Sequence, residues 1–154
     1  MRLQISTRLA IFATLELTAR ENHQLSVADI GEKYGVSSHH LAKVMHIMGR
    51  AGLVRAVRGA GGGYRFAGNP RRTTLLDVVQ LFEEVSSVEK DTEVADATPE
   101  GQALQAILNE IDTIARATLG SITIATMHKL LNGRGAGRWR SKPASARGRS
   151  VRRA

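Results

Sequence analysis

The sequence predicts a mainly α-helical chain carrying one small β-hairpin. Apolar residues recur at steps of three and four along most of its length, Ser or Thr stands at the head of those stretches as a helix cap, and one glycine-rich segment sits between two short β-prone arms. The 154 residues, 42% of them hydrophobic, suffice for one core of ordinary size with an appendage. There is no cysteine, which removes disulfides, thiol catalysis, thiolate zinc sites and cysteine-held iron–sulfur clusters from the available chemistry. No stretch approaches ~18 consecutive apolar residues, and the opening MRLQISTRLAIF is too polar for a secretory leader. The expectation is a cytoplasmic protein without membrane contact.

From Leu3 to Arg20, Ile5, Leu9, Phe12, Leu15 and Ala19 form one helical stripe, with Arg2, Gln4 and Arg8 at its start placed to reach a phosphate backbone. Ser26 caps a short second helix ending at Tyr34, with Val27, Ile30 and Tyr34 inward and Asp29 in the favourable first turn. Gly35 turns the chain, and Ser37 caps a third helix from Ser38 to Arg50. Helix, glycine turn, helix is the spacing of a helix-turn-helix. In the third helix Leu41, Val44, Met45 and Met48 fall within roughly 60° on one side of the helical wheel, and His39, Lys43, His46 and Arg50 gather opposite. Solvated helices normally mix both signs of charge, so an outer row without an acid suits a helix laid against DNA.

The segment LVRAVR-GAGGG-YRFA follows, two short arms around a glycine tip. It is not a phosphate loop, because no Lys-Ser/Thr pair or helix start comes after the glycines. A hairpin directly after a helix-turn-helix is a wing. Its glycines would let Arg55, Arg58 and Arg65 approach a phosphate or a narrow minor groove. Thr74 caps a helix running to Val85, with Leu75, Val78, Val79 and Phe82 inward, and SSVEKDTEVADA is an acidic connector. Thr98-Pro99 opens a long helix in which Leu104, Leu108, Ile111, Ala115 and Thr118 alternate four and three, with Ile107, Ile114 and Leu119 beside them. This stripe fits either the chain's own first helix or the matching helix of a second copy, and the alternation favours the second copy. Thr123 caps a last helix, Ile124 to Leu131.

Charge divides the chain the same way. Residues 1–72 hold 11 Lys/Arg against 4 Asp/Glu, residues 73–131 hold 3 against 10, and residues 132–154 hold 8 against none. The domain reading is therefore a winged helix-turn-helix DNA-binding region over 1–72, connector and dimerisation helices over 73–131, and a basic disordered tail over 132–154. The tail would add non-specific affinity for nucleic acid, with Trp139 available to stack. His39, His40 and His46 do not converge as zinc ligands, and the acidic residues between Glu83 and Asp96 lack calcium-loop spacing, so no metal or cofactor is expected. No nucleophile, base and orienting group are spelled out together, which argues against an enzyme.

The opening Met1-Arg2-Leu3, the segments VADIGEKYGVSSHHLAKVM and GLVRAVRGAGGGYRFA, the LLDVV after them and the late Ile122-Thr123-Ile124 give the chain a resemblance to the Rrf2 family of winged-helix transcription regulators. The resemblance covers residues 1–131. It implies a bacterial, homodimeric regulator on a palindromic promoter site in double-stranded DNA, with the long helices crossing between protomers. It also implies DNA contacts at Ser37, Ser38, His39, His40 and Lys43, at Arg58 and Gly59 in the wing, and more weakly at Arg2 and Gln4. Ala42 departs from family members that place an acid there to receive a cytosine amino group. The larger departure is SSVEKDTEVADATPEGQAL, where sensing members of the family carry three cluster-binding cysteines and this chain has none.

The expected function is a homodimeric, sequence-specific DNA-binding regulator, read as a repressor, without a cysteine-ligated cluster and controlled by an unidentified small-molecule or protein effector. The alternative is a winged-helix interaction module that docks a protein through the acidic segment, with weak DNA binding. Non-specific coating of nucleic acid through the tail is a third reading.

Overall fold

The computed structural model describes residues 2–83 and 98–135. Helix α1, Ile5–Leu17, is the element around which the others assemble, because α3, α4, α6 and the sheet all pack on it. Small residues make this possible: Thr7, Ala10, Ala13 and Thr14 are fully buried, and the Thr14 hydroxyl donates to the Ala10 carbonyl at 2.8 Å. The single stripe expected from Ile5 to Ala19 is therefore corrected. Ile5 is 66% exposed and Ala19 lies exposed beyond the helix end, since a helix surrounded by neighbours buries most of its circumference rather than one face.

Helix α2, Val27–Tyr34, starts on a reciprocal cap between Ser26 and Asp29 and ends at Gly35, whose φ of 65° lies in the left-handed region that glycine enters without steric cost. Helix α3, Ser38–Arg50, follows after the turn, with the Ser37 hydroxyl accepting from the His40 amide. Strands β2, Val54–Val57, and β3, Gly63–Phe66, form the expected hairpin. The sheet has a third member, β1, Gln24–Leu25, in the antiparallel order β1-β3-β2. Two residues give no readable alternation, so the sequence reading contained only the hairpin.

Helix α4 spans Leu75–Val79, ending short of the expected Val85, and the chain turns through Phe82 to Glu83. This turn brings Glu83 to the start of α1. Gln4, the N-cap of α1, supplies no side-chain cap of its own. The Glu83 carboxylate does so instead, its Oε1 accepting from the Gln4 amide at 2.7 Å and from the buried Thr7 hydroxyl at 2.5 Å. A carboxylate here satisfies free donors and faces the positive end of the helix dipole.

Helix α5, Pro99–Ser121, is 23 residues long, about 34 Å at the usual rise. It packs on α4 and buries none of its own residues. Helix α6, Ile124–Gly135, runs four residues past the expected Leu131, and the Thr123 hydroxyl caps it through the Thr126 amide. The bridge Thr74↔Thr123, with Ile124 donating to the Thr73 carbonyl at 2.9 Å, staples α6 beside α4. Leu75, Val78, Val79 and Ile124 join the same buried cluster as Leu9, Met45 and Met48, so residues on both sides of position 72 share one core. The acidic connector 86–97 and tail residues 136–154 lie outside the described residues. Among the described residues no helix is long and apolar enough to cross a membrane.

Replacing Glu83 by Ala strands the buried Thr7 hydroxyl and uncaps α1, and chemical denaturation of this variant is expected to show a loss of about 2 kcal/mol.

Candidate nucleic-acid interface

The two sides of α3 differ as their residue types require. Leu41, Val44, Met45 and Met48 are at most 1% exposed, while His39, Lys43, His46 and Arg50 all lie exposed on the opposite side. Ser37 and Ser38 are exposed at the N-terminal turn, where free amides and hydroxyls can serve a phosphate. His40 differs from its neighbours. It is half-buried, with Nε2 3.3 Å from the Ser6 hydroxyl of α1. That contact brings the start of α1 to the start of α3, so exposed Arg2 and Gln4 enter the same neighbourhood. Ser6 was not among the sequence candidates, and a contact between residues 34 apart has no local signature.

The wing tip is residues 58–62, with Arg58 and Gly59 exposed. Gly59 has φ 108°, a conformation closed to ordinary side chains, and its carbonyl accepts from the Gly62 amide at 2.9 Å. The tip is also held from outside the hairpin, since the Gln24 side-chain amide donates to the Gly61 carbonyl. Gln24, like Ser6, was missed by sequence reasoning, because its strand is too short to recognise.

Helix α2 is held against α1 by a stacked and hydrogen-bonded cluster. The Phe12 and Tyr34 rings stack with centroids 4.9 Å apart, and the Glu16 carboxylate accepts from the Tyr34 hydroxyl at 2.6 Å and from Lys33. Burial opposes charge on Glu16, yet the hydrogen bonds from Lys33 and Tyr34, with the Lys33 and His23 charges, together hold its carboxyl below the ordinary value. Tyr34 moves the other way, raised by burial and by its bond to the charged Glu16.

The family model Rrf2, described as an iron-dependent transcriptional regulator, matches residues 3–129. The chain belongs to the Rrf2 family. The HTH-type transcriptional regulator BadM of Rhodopseudomonas palustris is 46% identical over 132 residues, covering 86% of this chain and 84% of that protein. In fold the chain is similar to T. potens IscR, with a TM-score of 0.69 at 24% identity over 92% of this chain and 94% of the other. It is also similar to CymR, the global cysteine regulator of B. subtilis, with a TM-score of 0.70 at 23% identity over 84% of this chain and 98% of the other. This Rrf2 protein is thus a winged-helix, DNA-binding member of a family of transcriptional regulators.

A cysteine-held iron–sulfur cluster does not fit the donor set of this chain. With no cysteine anywhere in the sequence, there is no thiolate to hold an iron–sulfur cluster. Among the described residues no three His, Asp or Glu side chains group as metal ligands.

The lowered carboxyl of Glu16 sets a pH dependence. Its contribution to stability is fully present above the ordinary value of 4.5 and disappears as pH falls through the depressed folded-state value. Thermal melts of Glu16→Gln and the parent protein are expected to differ near neutrality and to converge in acid.

Proposed function

We propose that this Rrf2 protein is a homodimeric, sequence-specific repressor that binds a palindromic promoter site. One observation carries the reading: the exposed side of α3 presents His39, Lys43, His46 and Arg50 without an acid among them, while the apolar side is sealed in the core. The N-terminal turn of α3, with Ser37, Ser38, His39 and His40, meets backbone phosphate and base edges in the major groove, and Lys43 contacts a guanine edge or phosphate. Arg58, carried on the Gly59 turn, enters the flanking minor groove, and Arg2 and Gln4 meet backbone beside α3.

Dimerisation rests on α5. Leu104, Ile107, Leu108, Ile111 and Ile114 are each at least 45% exposed on one helix, a larger apolar stripe than a lone soluble chain normally leaves in water. The 4-3 alternation suits the same helix of a second copy, and two subunits would place their α3 helices in half-sites about one turn of DNA apart or a multiple of it. Control by an effector other than a cysteine-held cluster, and a cytoplasmic location, belong to the same proposal.

Mobility-shift titrations test the reader. Lys43→Ala and Arg58→Ala are expected to weaken binding to the selected promoter by about 1–3 kcal/mol each, with the salt slope falling by about one for each lost phosphate contact. Unchanged affinity and salt slope in both variants would overturn the assignment, and a nuclease-resistant protein complex without any footprint would favour the interaction-module alternative. For the dimer, Ile111→Asp should shift the sedimentation coefficient to that of a monomer, and a parent protein that already sediments as a monomer would sink this part of the proposal.

A further inference from the structure

A cleft of about 930 Å³ opens between the end of α1, the outer face of the sheet, the loop after β3 and one side of α6. This lies within the size range of ligand pockets, and its walls are unusually basic. Arg20, Arg55, Arg65, Arg71, His128 and Lys129 line it against a single acid, Glu21, while Leu17, Phe66 and Pro70 supply apolar surface. The cleft is remote from the N-terminal turn of α3. Ser6, which touches His40, and Leu17, which lines the cleft, are separated by about 17 Å along α1 at the usual helical rise.

Two features point to a ligand. Arg55 and Arg65 stand directly opposite one another in the β2–β3 register, where like charges repel. No described carboxylate is within ion-pair distance of either. Independently, Nε of Arg65 is buried without a hydrogen-bond partner, a costly state for a cationic donor. An oxyanion relieves the repulsion directly, and the orphaned Nε once the Arg65 side chain turns its guanidinium edge into the cleft, since that edge matches carboxylate or phosphate oxygens.

We propose that this cleft binds a small organic anion bearing a carboxylate or phosphate group, with Arg65 as its principal partner, and that occupancy is relayed to the wing. The relay is short. Arg65 Nη2 donates to Gln24 Oε1 at 3.3 Å, and the Gln24 amide donates to the Gly61 carbonyl at the wing tip. An anion that recruits the Arg65 fork competes with Gln24 for it and loosens the hold on the tip. The cleft therefore supplies an effector site for a family member without cluster cysteines, and its effect on DNA rests on the function proposed above.

Calorimetric titration of the DNA-free, full-length protein with pyrophosphate and, separately, with citrate, at ionic strength fixed with chloride, reads the cleft directly. One saturable site per chain is expected in at least one arm, and the tighter arm identifies the head group. Arg65→Met, which keeps the apolar stem, should weaken that binding about tenfold or more, the scale of a hydrogen bond to a charged group. Arg72→Gln, an equal loss of charge just outside the lining, should leave it unchanged. If Arg65→Met does not fold by circular dichroism, Arg71→Gln replaces it with the same expected direction. Absence of saturable binding in both arms, or equal loss in the Arg72 variant, overturns the site whatever the protein does with DNA. Promoter titrations then read the relay: the bound anion should weaken DNA binding several-fold in the parent protein and leave Gln24→Ala unaffected. If Arg65→Met without anion loses as much DNA affinity as Lys43→Ala, the cleft is a DNA-phosphate contact and the effector assignment falls.

Discussion

The whole arrangement depends on the seal between α1 and the apolar side of α3. Burying Leu41, Val44, Met45 and Met48 contributes about 1.5–3 kcal/mol for each side chain. Its geometric effect matters as much. Successive residues on a helix are about 100° apart, so a slip of one residue in this packing would swing the basic row a quarter turn or more away from solvent. Four apolar anchors fix the rotation of α3 about its own axis, and the cations on its outer side inherit that orientation without needing partners. The small residues of α1 serve the same end, since they let α3, α4 and α6 approach one helix together.

Around that apolar seal, polar contacts join segments far apart in the chain. Glu16 receives Tyr34 and Lys33 and fixes α2, Ser6 meets His40, and Glu83 caps α1. Each gives a partner to a polar group that is at least partly buried: the Tyr34 hydroxyl, the His40 ring and the Thr7 hydroxyl. The Thr74–Thr123 bridge does the equivalent work for α4 and α6. The helix-turn-helix is thus supported by chain from both sides of the connector.

Much of this was legible in the sequence where two signals coincided. In α3 the apolar period and the charge segregation agreed, and both sides fell where they were expected. The caps at Ser26, Ser37, Thr74, Thr98 and Thr123 were readable because a capping pair spans only four residues. What escaped detection was non-local. Strand β1 has two residues and exists through its pairing with β3, so neither period nor composition marks it. The end of α4 was misplaced because Phe82 continues the helical pattern, whereas the regular helix stops at Val79 and turns carry Glu83 to the start of α1. The candidate site divides along the same line. Its exposed cations were visible as a row, but the Ser6 contact that half-buries His40 and the Gln24 hold on the wing tip were not. In α5 the apolar stripe was clear and its occupant was not, because no described residue of this chain buries it.

The Glu83 cap carries a consequence for how the molecule comes into being. Glu83 lies 66 positions beyond Leu17, the last residue of α1, so a ribosome adding about 5–20 residues per second leaves the first helix uncapped for about 3–13 s after its own residues have been made. Ile124, wholly enclosed, arrives later still. The nascent N-terminal half therefore spends its first seconds with a frayed leading helix and an open flank, a natural substrate for chaperones, and becomes a rigid body only when the C-terminal half closes over it.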